Sequence, residues 1–187
     1  MSEWERSYTN QRRRLYLRVA LKLMFAALLG AGVYVMTASL FGTPDGEEAV
    51  VRIELREIPP GTYKVVKWAG RRIFILHRTP AMLAALRTMS AARLYDPRST
   101  RDGLPPALRN RLRSLRPDWF VAYDYGTTYG CALALDVKMS APVDLRDSCG
   151  GTRYDVAGRV YAGQDAQRNL TVPPYRFDGD GVLVIGR

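Results

Sequence analysis

Two cysteines, one histidine and a few carboxylates and hydroxyls are the residues of this chain whose types suit chemistry, and most of them gather in two glycine-rich stretches. The first reads Gly126-Thr-Thr-Tyr-Gly-Cys131 and the second Asp147-Ser-Cys-Gly-Gly-Thr-Arg-Tyr154, followed by Asp155. Thiolates and imidazoles are the soft and borderline donors that hold iron. With only His77 beside Cys131 and Cys149, a centre of two thiolates and two imidazoles cannot be assembled from the chain. Asp147 suits a hard cation, but one carboxylate does not make a site. His77 has no second ligand type near it in sequence and reads as a surface or hydrogen-bonding residue.

The elements that must position these stretches are legible from periodicity. Val51, Ile53 and Leu55 alternate with Arg52, Glu54 and Arg56, the period-two pattern of a half-buried strand. Pro59-Pro60-Gly61 turns the chain, and residues 63–68 and 72–76 predict a β-hairpin around Ala69-Gly70-Arg71. Thr79 is the expected cap of a helix with Pro80 at its first position and Met82, Leu83, Leu86 and Met89 as its apolar stripe. Residues 118–123 predict a strand that runs into the first glycine-rich stretch.

Of the 187 residues, 47% are hydrophobic and 25% charged, an ordinary composition for one domain with an appendage. The appendage is N-terminal. Arg12, Arg13, Arg14, Arg18 and Lys22 precede residues 23–44, which carry no charge and are long enough, at about 1.5 Å each, to cross about 30 Å of hydrocarbon. Basic residues before the span and Asp45, Glu47 and Glu48 after it predict a cytoplasmic N-terminus with the rest of the chain across the membrane. A secretory signal is the alternative, with Thr37-Ala-Ser39 as its cleavage region. Residues 39–48 read as a flexible tether. The net charge of +10 does not argue for nucleic acid, since residues 1–22 hold six Lys/Arg against two Glu and serve membrane orientation. A second basic stretch, residues 101–116 with five Arg, reads either as a solvated face or as a contact for anionic head groups or an acidic partner.

The two stretches resemble the cluster loops of the Rieske iron–sulfur family, which reads Cys-Thr-His-Leu-Gly-Cys and Cys-Pro-Cys-His-Gly-Ser-x-Tyr-Asp. In that register the family's iron ligands fall on Gly126, Thr128, Asp147 and Gly150, and its second cysteine pair falls on Cys131 and Cys149. The resemblance therefore implies a Cys131–Cys149 disulfide, in keeping with a compartment beyond the membrane. It also implies degenerate ligand positions, and the expectation is a chain with no cofactor and no catalytic residue. Thr152 and Tyr154 match the hydroxyls that hydrogen-bond the cluster sulfurs in working members.

The resemblance extends from about Val51 to the end and is specific to the cytochrome bc branch, through "REIPPGTYKVVKWAGRRIFILHRTP" and the closing strands from Asn169. Arg13-Arg14-Leu-Tyr-Leu17 also resembles the twin-arginine export motif of bacterial members, with plain basic flanking as the alternative. The implied fold is mostly β, one transmembrane helix followed by a Rieske-like head of stacked antiparallel sheets with a short helical insertion. The expected organisation is a basic N-terminus (1–22), a transmembrane helix (23–44), a tether (45–50) and a head (51–187) with loops 126–131 and 147–155.

The implied function is an accessory or structural subunit of a respiratory quinol:cytochrome c reductase in a bacterial inner membrane, head periplasmic. Its implied partners are cytochrome b and cytochrome c1-type subunits, the bilayer and a canonical Rieske subunit, without nucleic acid. Gly30, Ala31 and Gly32 are the expected helix contact. Two alternatives stand beside this reading: an electron-transfer subunit of the same enzyme with an unrecognised carrier, and a stand-alone periplasmic module working through its cysteines.

Overall fold

The computed structural model describes residues 3–41, 50–136 and 143–186 and divides into two units, an N-terminal helix and a head. Helix α1 runs from Glu3 to Phe41, and its stretch Gln11–Ser39 is long and apolar enough to cross a membrane. It thus begins well before the uncharged span expected at 23–44, because Arg, Leu and Lys are good helix formers and a change of polarity does not end a helix. The rest of that span and residues 45–49 of the expected tether (45–50) lie outside the described residues.

Among the described residues the head contains three antiparallel sheets of three strands each. Strand β1 (Val51–Glu54) pairs with β9 (Val182–Ile185), which pairs with β8 (Tyr175–Asp178). Strands β2 (Tyr63–Trp68), β3 (Arg71–His77) and β4 (Trp119–Tyr123) form the second sheet. The third comprises β5 (Leu133–Asp136), β6 (Asp144–Asp147) and β7 (Arg153–Tyr154).

Alternation along β3 and β4 explains how the sheets stack, because successive side chains point to opposite faces. Ile73, Ile75, Trp119, Val121 and Tyr123 pack on one side with Ile53, Leu183 and Ile185 of the first sheet. Phe74, Leu76, Phe120 and Ala122 pack on the other with Leu133, Leu145 and Tyr154 of the third. The middle sheet is therefore covered on both faces, and every residue of β4 is buried. Each large side chain so buried contributes about 1.5–3 kcal/mol. The head is mostly β with a short helical insertion and follows one N-terminal apolar helix, as the resemblance implies.

The hairpin turn lies at Ala69 and Gly70, both with positive φ (47° and 72°), with Trp68 paired to Arg71. Helix α2 (Pro80–Thr88) starts as expected, the Thr79 hydroxyl accepting from the Met82 N–H at 3.3 Å. His77 stacks on Trp119 with ring centroids 4.0 Å apart, and its Nδ1 lies 2.6 Å from the Ile58 carbonyl oxygen.

The basic stretch 101–116 is not uniformly solvated. Arg113 is 1% exposed and donates to the carbonyls of Ala157, Gly158 and Leu170 and to Asp102. Just before the helix, Arg78 is equally buried and donates to Val156 O, Pro117 O, Leu112 O and the Ser114 hydroxyl. These two arginines tie the insertion between α2 and β4 to the segment after β7. Burial lowers the Arg78 pKa to about 10, a shift that nearby Asp155 opposes.

Candidate functional site

Loop 126–131 leaves β4 and enters β5, and loop 147–152 joins β6 to β7, so the third sheet holds both at one end. Within the first loop the Gly126 N–H donates to Cys131 O at 2.8 Å and the Gly130 N–H to Gly126 O at 3.1 Å. Gly130 has a φ of 70°, which a glycine adopts without cost. Cys131 and Cys149 form a disulfide with their Cα atoms 5.9 Å apart, tying the loops together.

Asp147 organises the second loop. It is 1% exposed, and its Oδ1 accepts from the N–H groups of Cys149, Gly150 and Gly151 at 3.2, 2.7 and 3.0 Å. Hydrogen bonds to a carboxylate are among the stronger ones, and three of them wrap the loop around one oxygen. The Asp147 N–H donates to the Thr152 carbonyl at 3.0 Å, and the Ser148 N–H to Ala132 O, which docks the second loop on the first.

Tyr154, fully buried, places its hydroxyl 2.9 Å from the Thr127 N–H, which donates to it, and 3.0 Å from the Thr127 hydroxyl. Burial raises the Tyr154 pKa, so the phenol is held protonated. Gln164, in the loop after Tyr161, accepts from the Arg153 N–H and donates to the Arg153 carbonyl, both at 2.9 Å, and so extends β7 by a side chain.

The four positions that the resemblance assigns to iron are brought together, but the space between them is taken by protein. A Cβ on Gly126 would lie 2.7 Å from Cβ and Oδ2 of Asp147. A Cβ on Gly150 would lie 2.8 Å from the ring of Tyr129. The half-buried Thr128 supplies Oγ1, and this atom and Asp147 Oδ2 are both buried without a hydrogen-bond partner among the described residues. Hard oxygen atoms and two glycines do not fit a [2Fe–2S] cluster, which thiolate and imidazole hold. No step is derived through that group.

Two residues of the site escape sequence reasoning. Tyr129 stands in the first loop where the family has leucine, and its larger ring opposite a glycine is a signal visible only once the loops face each other. Asp144 is 2% exposed, accepts from the Tyr161 hydroxyl at 2.6 Å and pairs with Arg153. Its place on a four-residue strand gives no hint of this. A shallow cleft of about 310 Å³ opens beside Asp147, Ser148 and Cys149, lined also by Arg146.

No family model matches the chain. The ubiquinol-cytochrome c reductase iron-sulfur subunit of Allochromatium vinosum is 30% identical over 187 aligned residues, covering 95% of this chain and 89% of the relative. The mitochondrial Rieske subunit of the cytochrome b-c1 complex of Saccharomyces cerevisiae is 32% identical, covering 88% and 71%. That of Neurospora crassa is 34% identical, covering 74% and 54%. Among solved structures, a chain of a hyperthermophilic respiratory Complex III aligns with 88% of this chain and 97% of its own, at a TM-score of 0.47 and 15% identity.

These names correct one expectation. The relatives are iron–sulfur subunits, so the absence of a cofactor expected from the ligand positions is overturned, and the family's group is the [2Fe–2S] cluster. The misfit of Gly126, Thr128, Asp147 and Gly150 is a property of this chain's loops and not of its kin. Shared identity across nearly the whole length, helix included, decides the kinship where the ligand positions cannot: the chain belongs to the Rieske iron–sulfur subunit family of ubiquinol–cytochrome c reductases.

Proposed function

We propose that this protein is a membrane-anchored accessory or structural subunit of a respiratory quinol:cytochrome c reductase, bound to cytochrome b and cytochrome c1-type subunits. The observation that supports this reading is the buried Asp147, which stands where a side chain at Gly126 would need to be and is fixed there by three N–H donors. Packing of that kind makes the loops a folded cap rather than an open reaction site. The protein's work then falls to its helix and the surface of its head.

The proposed organisation is a basic cytoplasmic segment (1–22), a single span (23–44), a tether (45–50) and a periplasmic head (51–187) in a bacterial inner membrane. Basic residues on one side of the span and acidic ones on the other support that orientation. A C-terminal reporter active only in the cytoplasm should give no signal, and a signal there inverts the topology. In the helix, a Cβ on Gly30 or Gly32 meets nothing within 4 Å, so both offer open backbone for close packing against another helix. Gly30→Leu with Gly32→Leu should weaken co-purification with cytochrome b-type subunits, whereas Thr128→Ala and Tyr154→Phe should leave quinol oxidation nearly unchanged in the assembled complex.

A second reading, an electron-transfer subunit of the same enzyme, is favoured by the relatives' names. Severe loss of quinol oxidation from Thr128→Ala with assembly intact selects the second.

A further inference from the structure

Away from the loops, a cleft of about 450 Å³ is lined by Arg98, Arg109, Arg111 and Arg159, with Asn110 beside them and no carboxylate in its lining. We propose that this cleft is a binding site for a phosphate-type oxyanion.

Three of the four guanidinium groups are held in place by one edge. Arg111 donates from Nε to Leu86 O at 3.0 Å and from Nη2 to Met89 O at 2.7 Å, both carbonyls at the C-terminal end of α2. Arg109 donates from Nε to Leu104 O at 2.6 Å. Arg159, 3% exposed, forms the buried floor with Nε and Nη2 each 2.7 Å from Asp155 Oδ2. Carbonyls fix the plane of a guanidinium without cancelling its charge. Among the described residues only Arg159 of the four pairs with a carboxylate, and the other three positive charges share the concavity.

The other edges remain available. Among the described residues Arg98, the Nη atoms of Arg109 and Nη1 of Arg111 have no hydrogen-bond partner. Like charges gathered this way repel one another, and a bound anion reverses the sign of that energy. Planar forks whose orientation is already fixed lose little entropy on binding. A carboxylate offers two oxygens, whereas a phosphate offers more acceptors at tetrahedral angles and can engage several forks at once. The cleft is wide enough to admit a phosphate with an organic remainder, so the head group of an anionic lipid and free phosphate share the required chemistry.

The test uses the full-length protein in phosphatidylcholine nanodiscs and reads arginine modification by phenylglyoxal residue by residue with mass spectrometry. Inorganic phosphate is compared with chloride at equal ionic strength, and in a separate arm phosphatidylglycerol is added to the nanodisc. Modification of Arg98 and Arg109 should slow about tenfold in one of the arms, while the exposed Arg56 and Arg87 stay unchanged. Protection by inorganic phosphate assigns a soluble phosphate, and protection only with phosphatidylglycerol assigns the lipid. The variant Arg98→Glu, at a side chain without structural partners, should abolish protection of Arg109 and leave the melting temperature unchanged. Absence of protection in both arms, equal protection at Arg56 and Arg87, or retained protection in Arg98→Glu overturns the proposal.

Discussion

Asp147 occupies the volume that a side chain at Gly126 would need: its Cβ and Oδ2 lie 2.7 Å from where a Cβ on Gly126 would stand. Both residues are buried, and Asp147 is fixed by three N–H donors, so it cannot swing aside. The pairing of Gly150 with Tyr129 has the same closeness, but Tyr129 is 65% exposed and its ring can rotate into solvent.

The two glycines should therefore respond differently. Gly126→Ala should cost about 1–3 kcal/mol, the range for overpacking a close-packed site. Gly150→Ala should cost less than about 1 kcal/mol, and Tyr129→Ala should erase even that. Urea unfolding of the three variants and the Gly150→Ala/Tyr129→Ala pair checks this, and equal costs at the two glycines would contradict it.

Free-thiol labelling of the unfolded, unreduced protein should be near zero because Cys131 and Cys149 are bonded. Replacing both by serine should cost about 3 kcal/mol, chiefly by freeing the unfolded chain. The loss should appear as a lower urea midpoint under non-reducing conditions, with no difference from wild type under reducing ones.

At the β2–β3 turn, Ala69 holds a φ of 47° that a side chain rarely adopts. Asn and Gly are the residues that two-residue hairpin turns with positive φ prefer. Ala69→Asn should stabilise the head by about 1 kcal/mol, since the left-handed region costs alanine about that much. A fall in the unfolding midpoint would show that the turn is held by other means.

Alkaline pH should weaken the head. Burial raises the pKa of Tyr154, Tyr161 and Tyr175 above the usual tyrosine value of 10.0, and at Tyr161 the hydrogen bond to Asp144 adds to the rise. A phenol held protonated in the fold but ionised when unfolded contributes stability that is present below pH 10 and lost as pH rises further. Arg78 and Arg113 act in the opposite sense, because burial lowers both pKa values and the penalty of burying their charge is relieved as pH rises, for Arg78 above about 10. The three tyrosines outnumber the two arginines, and a net loss is the expected outcome. Tyr161→Phe should flatten that loss in denaturation curves taken on both sides of pH 10, at some cost to stability at neutral pH.

Much of the fold is legible because its signals are local. Val51 to Leu55 alternate, Thr79 and Pro80 form a cap, and the order of hydrophobic residues in β3 and β4 reports a strand covered on both faces. Arg78 and Arg113 were not legible, since an arginine written in a polar stretch looks the same whether it faces water or carbonyls. The expected 101–116 face splits for that reason into a buried Arg113 and the exposed Arg109 and Arg111. In the site, the loop positions and the cysteine pair follow from the resemblance, while the filling of the gap depends on Tyr129 and Gly150 meeting across the loops. Fourteen or so residues at a ligand site also say less about kinship than the rest of the chain, which is why the cofactor expectation failed.

The pairing of β1 with β9 sets the order in which the head can be completed. Val51 pairs with Ile185 and Glu54 with Val182, so the first strand of the head waits for nearly the last residues of the chain. Strand β9 is also the centre of its sheet, and β8 has no other partner there. During synthesis, Ile53 has no sheet to join until residues 182–185 leave the ribosome, and contacts so distant in sequence form slowly. Loss of residues 182–185 leaves β1 without its sheet partner, and a chain with such an unpaired strand edge should aggregate rather than complete its head.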